Sequence, residues 1–261
     1  MNPVARSRLM PVLAGLALLV LPASALAQSF TLDLGDGSST TGRIVQLILL
    51  MTILTLAPSI LMMVTSFVRI IVVLSLLRTA LGTQQAPPNA VLTSLALFLT
   101  FFIMMPTGEV AWREGISPLI ENRITEVQAM ERAAKPFHDF MMRQTRENDL
   151  ALFVDIAKIP PPENAEATPF RVLIPAFMIS ELRRAFEIGF LLFIPFVIID
   201  MVVAAVLMSM GMMMMSPMLV SAPFKILLFV LVDGWVLVVG TLAGSFNPAV
   251  VSTAATAVGA G

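Results

Sequence analysis

The chain contains no cysteine. Disulfides, thiolate metal sites and a cysteine nucleophile are therefore excluded, while the redox compartment stays open. There is one histidine, His138, so no H-E-x-x-H zinc helix can form. It falls among charged residues on a predicted soluble helix, where a solvated structural role is expected rather than a proton relay. Charge is scarce as well: 16 basic and 17 acidic side chains make up 13% of the 261 residues, with a formal net charge of -1. Such a balance offers no basic surface for nucleic acid. Neither a G-x-x-x-x-G-K-[ST] phosphate loop nor a G-x-S-x-G nucleophile elbow occurs. No catalytic constellation is left, so the chain is expected not to be an enzyme and no cofactor is implied.

What is abundant is apolar. Hydrophobic residues make up 57% of the chain and the mean hydropathy is +0.91, the composition of a membrane protein. Residues 1–27 read as a cleavable signal peptide, with Arg6 and Arg8 before an apolar core over 9–21 and Ala25-Leu26-Ala27 at the cleavage site. The mature protein would begin at Gln28, outside the cytoplasm; an uncleaved first membrane helix is the competing reading. Residues 28–43 form a polar spacer.

Four apolar passes in two hairpins follow. In the first hairpin, 44–106, no charge appears from 44 to 68, then Arg69 interrupts and Arg78 closes the run. After the turn "GTQQAPPN", the pass over 90–105 would reach only ~24 Å, short of a ~30 Å hydrocarbon core. The second hairpin, 171–246, carries Asp200 in its first pass and Lys225 and Asp233 in its second. Residues 247–261 are a C-terminal tail.

Between the hairpins, residues 107–170 hold 18 of the 33 charged side chains. This is a soluble helical insertion, expected on the same side as the N-terminus. Ser117-Pro118 predicts an N-cap and first helical residue, with Ile120, Ile124 and Val127 at helical spacing after it. A second helical stretch is expected after Pro136, "LALFVDIAK" continues it or starts a third, and "PPPENAEATP" reads as a linker. The fold class is thus an all-α membrane protein.

A charge at the centre of a membrane helix costs ~2.5 to 3.5 kcal/mol, so Arg69, Asp200, Lys225 and Asp233 should face protein or water. In "SELRRAFE", Glu181 and Arg184 are three apart and Arg183 and Glu187 four apart, spacings that allow pairing along one helix. Neutralisation within the chain, pairing between copies and a proton path all remain open, with assembly favoured by the short pass.

"MSMGMMMMSPM" puts seven methionines into eleven positions. Met212, Met213, Met214 and Met215 would project over all sides of a helix, and Gly211 before them and Ser216-Pro217 after them weaken or end it. The cluster is therefore expected at the tip of the second hairpin. Its polarisable thioethers suit a deformable apolar seal, and gap-filling is the plainer alternative.

Long blocks carry a family likeness: "SFVRIIVVLSLLRTALGTQQAPPNAVLTSLALFLTFFIMMP", "LIPAFMISELRRAFEIGFLLFIPFVIIDMVVAAVLMSMGMMMMSP" and "PFKILLFVLVDGW". From about 44 to 246 the chain resembles the FliP family, whose virulence-secretion counterpart is SctR; "FMMRQTRENDLALF" is similar to the flagellar branch. The resemblance implies an inner-membrane subunit of the flagellar type III export gate. It implies a pentamer that assembles with FliQ and FliR into a helical pore for unfolded substrates, beside other export-apparatus membrane proteins. The insertion would be periplasmic. Met212 to Met215 would form a methionine gasket, and Phe140, Phe153 and Glu181 match positions tied to assembly. Asp200 and Lys225 match charged positions within the family's apolar blocks. A proton-coupled secondary transporter is the rival from another class, disfavoured because the two hairpins show no convincing repeat.

Overall fold

A computed structural model of the chain describes residues 40–83, 85–212 and 214–246. The predicted signal peptide, most of the polar spacer and the C-terminal tail lie outside the described residues. So does Met213.

Among the described residues the regular structure is helical throughout. Helix α1 spans Thr40–Met63; its residues up to Ile53 belong to one compact unit, and the described residues from Leu54 to another. A break at residues 64–66 separates α1 from α2, Phe67–Ala80. Pro88, extended at φ -57° and ψ 153°, starts α3, Asn89–Ala111.

The third helix does not stop at Met105. It runs through Pro106, passes a π-helical turn at Trp112–Ile116 and ends as α4, Ser117–Ile120, a continuous stretch of 32 residues. The expected short pass is therefore a long one: the helix continues through Pro106, Thr107 and Gly108 in spite of their low helical propensity, with Met104 and Ala111 buried on either side of them. Ser117 is not a cap either: its backbone is helical and its hydroxyl donates to Glu121 at 3.0 Å. The true start of the amphipathic helix is Thr125, whose side chain accepts from Gln128 N–H while the Gln128 side chain accepts from Thr125 N–H. That capping box opens α5, Glu126–Gln144, and Pro136, expected to begin a helix, lies inside it. Helix α6, Glu147–Ala157, ends at Lys158 in the left-handed region.

The insertion is held closely to α3. A Cβ on Gly115, in the π turn, would lie 2.8 Å from the Ala129 carbonyl oxygen and 2.8 Å from the Ala133 Cβ of α5. Only glycine lets the two backbones approach this far.

After the linker, α7 spans Phe170–Ser209 in 40 unbroken residues with Pro175 and Pro195 inside it. The second pass of this hairpin is broken. Helix α8, Pro217–Leu231, and helix α9, Gly234–Phe246, are bent by 66° at Val232 and Asp233, the latter at φ 51°.

Two cores join these elements. The larger packs Ile70, Leu74 and Leu77 of α2 against Ala96 of α3, Ala185 and Phe196 of α7, and Leu242 of α9. The smaller sets Phe140 and Met141 of the insertion against Leu173 and Phe177 of α7 and Met104 of α3. The stretch Asn89–Ile120 and helix α7 are each long and apolar enough to cross a membrane, and the two bent pairs raise the number to as many as four. Phe98, Phe101, Phe190 and Leu191 are all more than 60% exposed, so a large apolar surface lies outside these cores.

Candidate functional site

Arg69 is the first charge of the apolar run and is fully buried. Its Nε donates to Glu181 Oε2 at 2.9 Å, and Nη2 donates to the other Glu181 oxygen and to Gln144 Oε1 at 3.0 Å. Nη1 donates to the Ser245 carbonyl at 3.2 Å and to its hydroxyl at 2.9 Å. A guanidinium has five N–H groups, so this one is fully satisfied. The Phe246 ring covers it at 3.7 Å from the centroid. One side chain on α2 is thereby tied to α5, α7 and α9.

Glu181 is equally buried, and its partner is Arg69 rather than the Arg184 suggested by spacing. Arg184 instead donates to Gln144 Oε1, so two guanidinium groups share one amide oxygen. The bidentate contact, 112 positions away, outcompetes the neighbour three residues along the helix. The Arg183–Glu187 pair does form, at 3.1 Å, but both partners are exposed.

A second pair lies at the other end of α2. Lys225 Nζ donates to Asp200 Oδ2 at 2.6 Å and to the Ala80 carbonyl at 3.1 Å. That carbonyl ends α2, where the helix dipole favours a cation. The Ser221 hydroxyl donates to Asp200 Oδ1 at 2.5 Å. Lys225 is 3% exposed, whereas the Asp200 side chain is 33% exposed. Arg69 pairs with Glu181 and Lys225 with Asp200 inside this chain, whereas Arg184 meets only the neutral Gln144 amide. Asp233, by contrast, is exposed and makes no ion pair among the described residues.

His138 is not solvated. It is buried, with Nε2 donating to the Thr168 carbonyl at 2.8 Å and its ring edge-on to Phe170. It fastens the end of the linker to α5. Charged neighbours in sequence misled here, because on an amphipathic helix they mark the opposite face.

Residues 210–212 and 214–216 lie between α7 and α8, with Gly211 at φ 75° turning the chain. Met212, Met214 and Met215 are exposed there, Met214 completely. Phe140 is buried, stacked on Phe246 at 6.1 Å and edge-on to Phe177 at 5.9 Å, while Phe153 on α6 is half-buried. Phe140 and Glu181 thus meet around the same aromatic ring and guanidinium. Gln144, Ser221, Ser245 and Phe246 were missed by sequence reasoning. Only the Ser221 to Lys225 spacing of four, one helical turn, carried any signal.

The model of the FliP family matches residues 50–242. The flagellar biosynthetic protein FliP of Caulobacter vibrioides is 58% identical over 243 residues, 93% of this chain and 91% of that protein. Its namesake in Pectobacterium carotovorum is 55% identical over 216 residues, covering 83% and 84% of the two chains. That of Bacillus subtilis is 55% identical over 202 residues, 77% of this chain and 91% of the relative. With the family model matching residues 50–242 and these relatives 55–58% identical over most of the chain, the chain belongs to the FliP family.

Proposed function

We propose that the chain is a core pore-forming subunit of the flagellar protein export gate in the inner membrane. Copies of it, five by the family resemblance, assemble with FliQ and FliR and conduct unfolded flagellar proteins, with the insertion on the periplasmic side. The methionine loop is the observation that carries this reading. Three thioether side chains stand exposed at a hairpin tip, outside both cores and next to a glycine turn. Thioethers converging from neighbouring copies close on one another at rest and yield around a passing chain.

Internal neutralisation of the charges supports the same reading. A pair held between Lys225, Asp200 and a helix terminus is a structural fastening, and Glu181, locked by Arg69, is poorly placed to relay protons. The deciding experiment is ion conductance of membranes containing the assembled gate. Replacement of Met212 to Met215 by alanine is expected to leave the complex assembled and the membrane leaky. An unchanged leak at equal complex abundance would reduce the cluster to gap-filling.

A further inference from the structure

We infer that Arg69 and Phe246 are positioning residues that, held by Glu181 and Phe140, seat the last described turn of α9 inside the same chain and so set the surface that α9 offers to neighbouring subunits. This rests on the proposed assembly into a gate. Glu181 and Phe140 are the residues that an interface role would need at the surface, and both are interior: Glu181 is 0% exposed and Phe140 6%. Neither can touch a neighbouring copy unless the subunit opens.

What they touch instead converges on residues 245 and 246. The Phe246 ring has the Arg69 guanidinium 3.7 Å from its centroid and is stacked on Phe140 at an interplanar angle of 21°. Arg69 also holds the Ser245 hydroxyl and carbonyl, and Glu181 holds Arg69 by two of its five donors. Loss of the Glu181 carboxylate leaves a buried cation whose remaining acceptors are neutral, so the guanidinium must leave its place and release Phe246. Loss of the Phe140 ring removes the stacked support directly. Both changes free the same end of α9.

What α9 then presents outward depends on this seat. Its inner residues Val238 and Leu242 are buried in the larger core, which fixes Val236 and Leu237 at the surface, both more than half exposed. Val238 and Leu242 hold the middle of α9, and the Arg69 and Phe140 contacts to Ser245 and Phe246 hold its last described turn. Neighbouring subunits would therefore meet a displaced apolar surface in any variant that empties the seat.

The test compares Arg69→Met, Glu181→Leu and the double variant in full-length chains co-expressed with FliQ and FliR. Two readouts are used: protease resistance of the detergent-extracted subunit, and recovery of the complex on native gels. Each single change is expected to lower both by about ten-fold or more, and the double variant to lose no more than the worse single change, because both changes empty the same seat. Co-expressing Arg69→Met chains with Glu181→Leu chains should regain nothing. Regain in the mixture would put the pair between copies and overturn the inference. So would a Glu181→Leu subunit that stays fully protease-resistant yet fails to assemble, or a double variant in which the two losses sum. Combining Phe140→Ala with Phe246→Ala gives an independent check. The pair is expected to lose no more complex than the worse single change, and summed losses would separate Phe140 from α9. Failure of wild-type chains to form a complex would refute the proposed gate instead, while coupling in protease resistance would still be read from the subunit.

Discussion

The Asp200–Lys225 pair is unequal, and the inequality can be measured. Replacing Asp200 by alanine strands an ammonium group that is 3% exposed, leaving it one acceptor, the Ala80 carbonyl at the end of α2. Breaking a buried pair from one side costs ~3–5 kcal/mol, and the side-chain opening at Asp200 lets some water in, so ~3 kcal/mol is expected. Replacing Lys225 by methionine keeps the apolar stem and removes the charge. Asp200 then retains the Ser221 hydroxyl at 2.5 Å and its one-third exposed edge, which limits the cost to ~1–2 kcal/mol. Joining both changes removes both charges, and the double variant should be more stable than Asp200→Ala alone. Unfolding of the purified subunit in mild detergent, followed by tryptophan fluorescence, reads these differences; Trp235 packs edge-on to Phe229 at 5.3 Å and reports on the α8–α9 bend. A Lys225→Met variant as unstable as Asp200→Ala, or a double variant carrying the sum of both losses, would refute the reasoning.

Gly115→Ala should cost ~1–3 kcal/mol in the same assay, because the new methyl meets the Ala129 carbonyl and Ala133 at 2.8 Å and neither can swing aside. Wild-type stability in that variant would show that α5 and the π turn are less closely packed. His138→Ala removes the donor to the buried Thr168 carbonyl, so proteolysis within residues 158–168 should quicken while cleavage elsewhere stays unchanged. Sequencing the N-terminus of membrane-extracted protein should return Gln28, and recovery of Met1 would refute cleavage after Ala27.

Hydrophobic runs and turn chemistry made the hairpins legible. Gly211 and Ser216-Pro217 marked the methionine loop to the residue, since a left-handed turn and a proline after it leave a helix no continuation. Helix extension beyond the apolar run was not legible, because Thr107 to Glu109 break the hydrophobic pattern without breaking the helix. Ser117 looked like a cap, whereas Thr125 with Gln128 three residues on supplied the full reciprocal pair. The charged residues themselves stood out as needing partners, yet their partners did not. Local spacing favoured Arg184 for Glu181, and nothing in a linear pattern encodes a contact across 112 positions. Gln144 and Ser245 were invisible for the same reason: an amide and a hydroxyl become conspicuous only once a guanidinium is brought to them.

Internal neutralisation also bears on electrical work. Moving one elementary charge through the whole membrane field takes ~2.3 kcal/mol for each 100 mV. Arg69 with Glu181, and Lys225 with Asp200, each sum to zero, so neither pair adds to the work of shifting these helices in a membrane potential; that work falls on the charges outside the pairs, such as Arg78 of α2 and Arg184 of α7, whose acceptors are neutral amide oxygens.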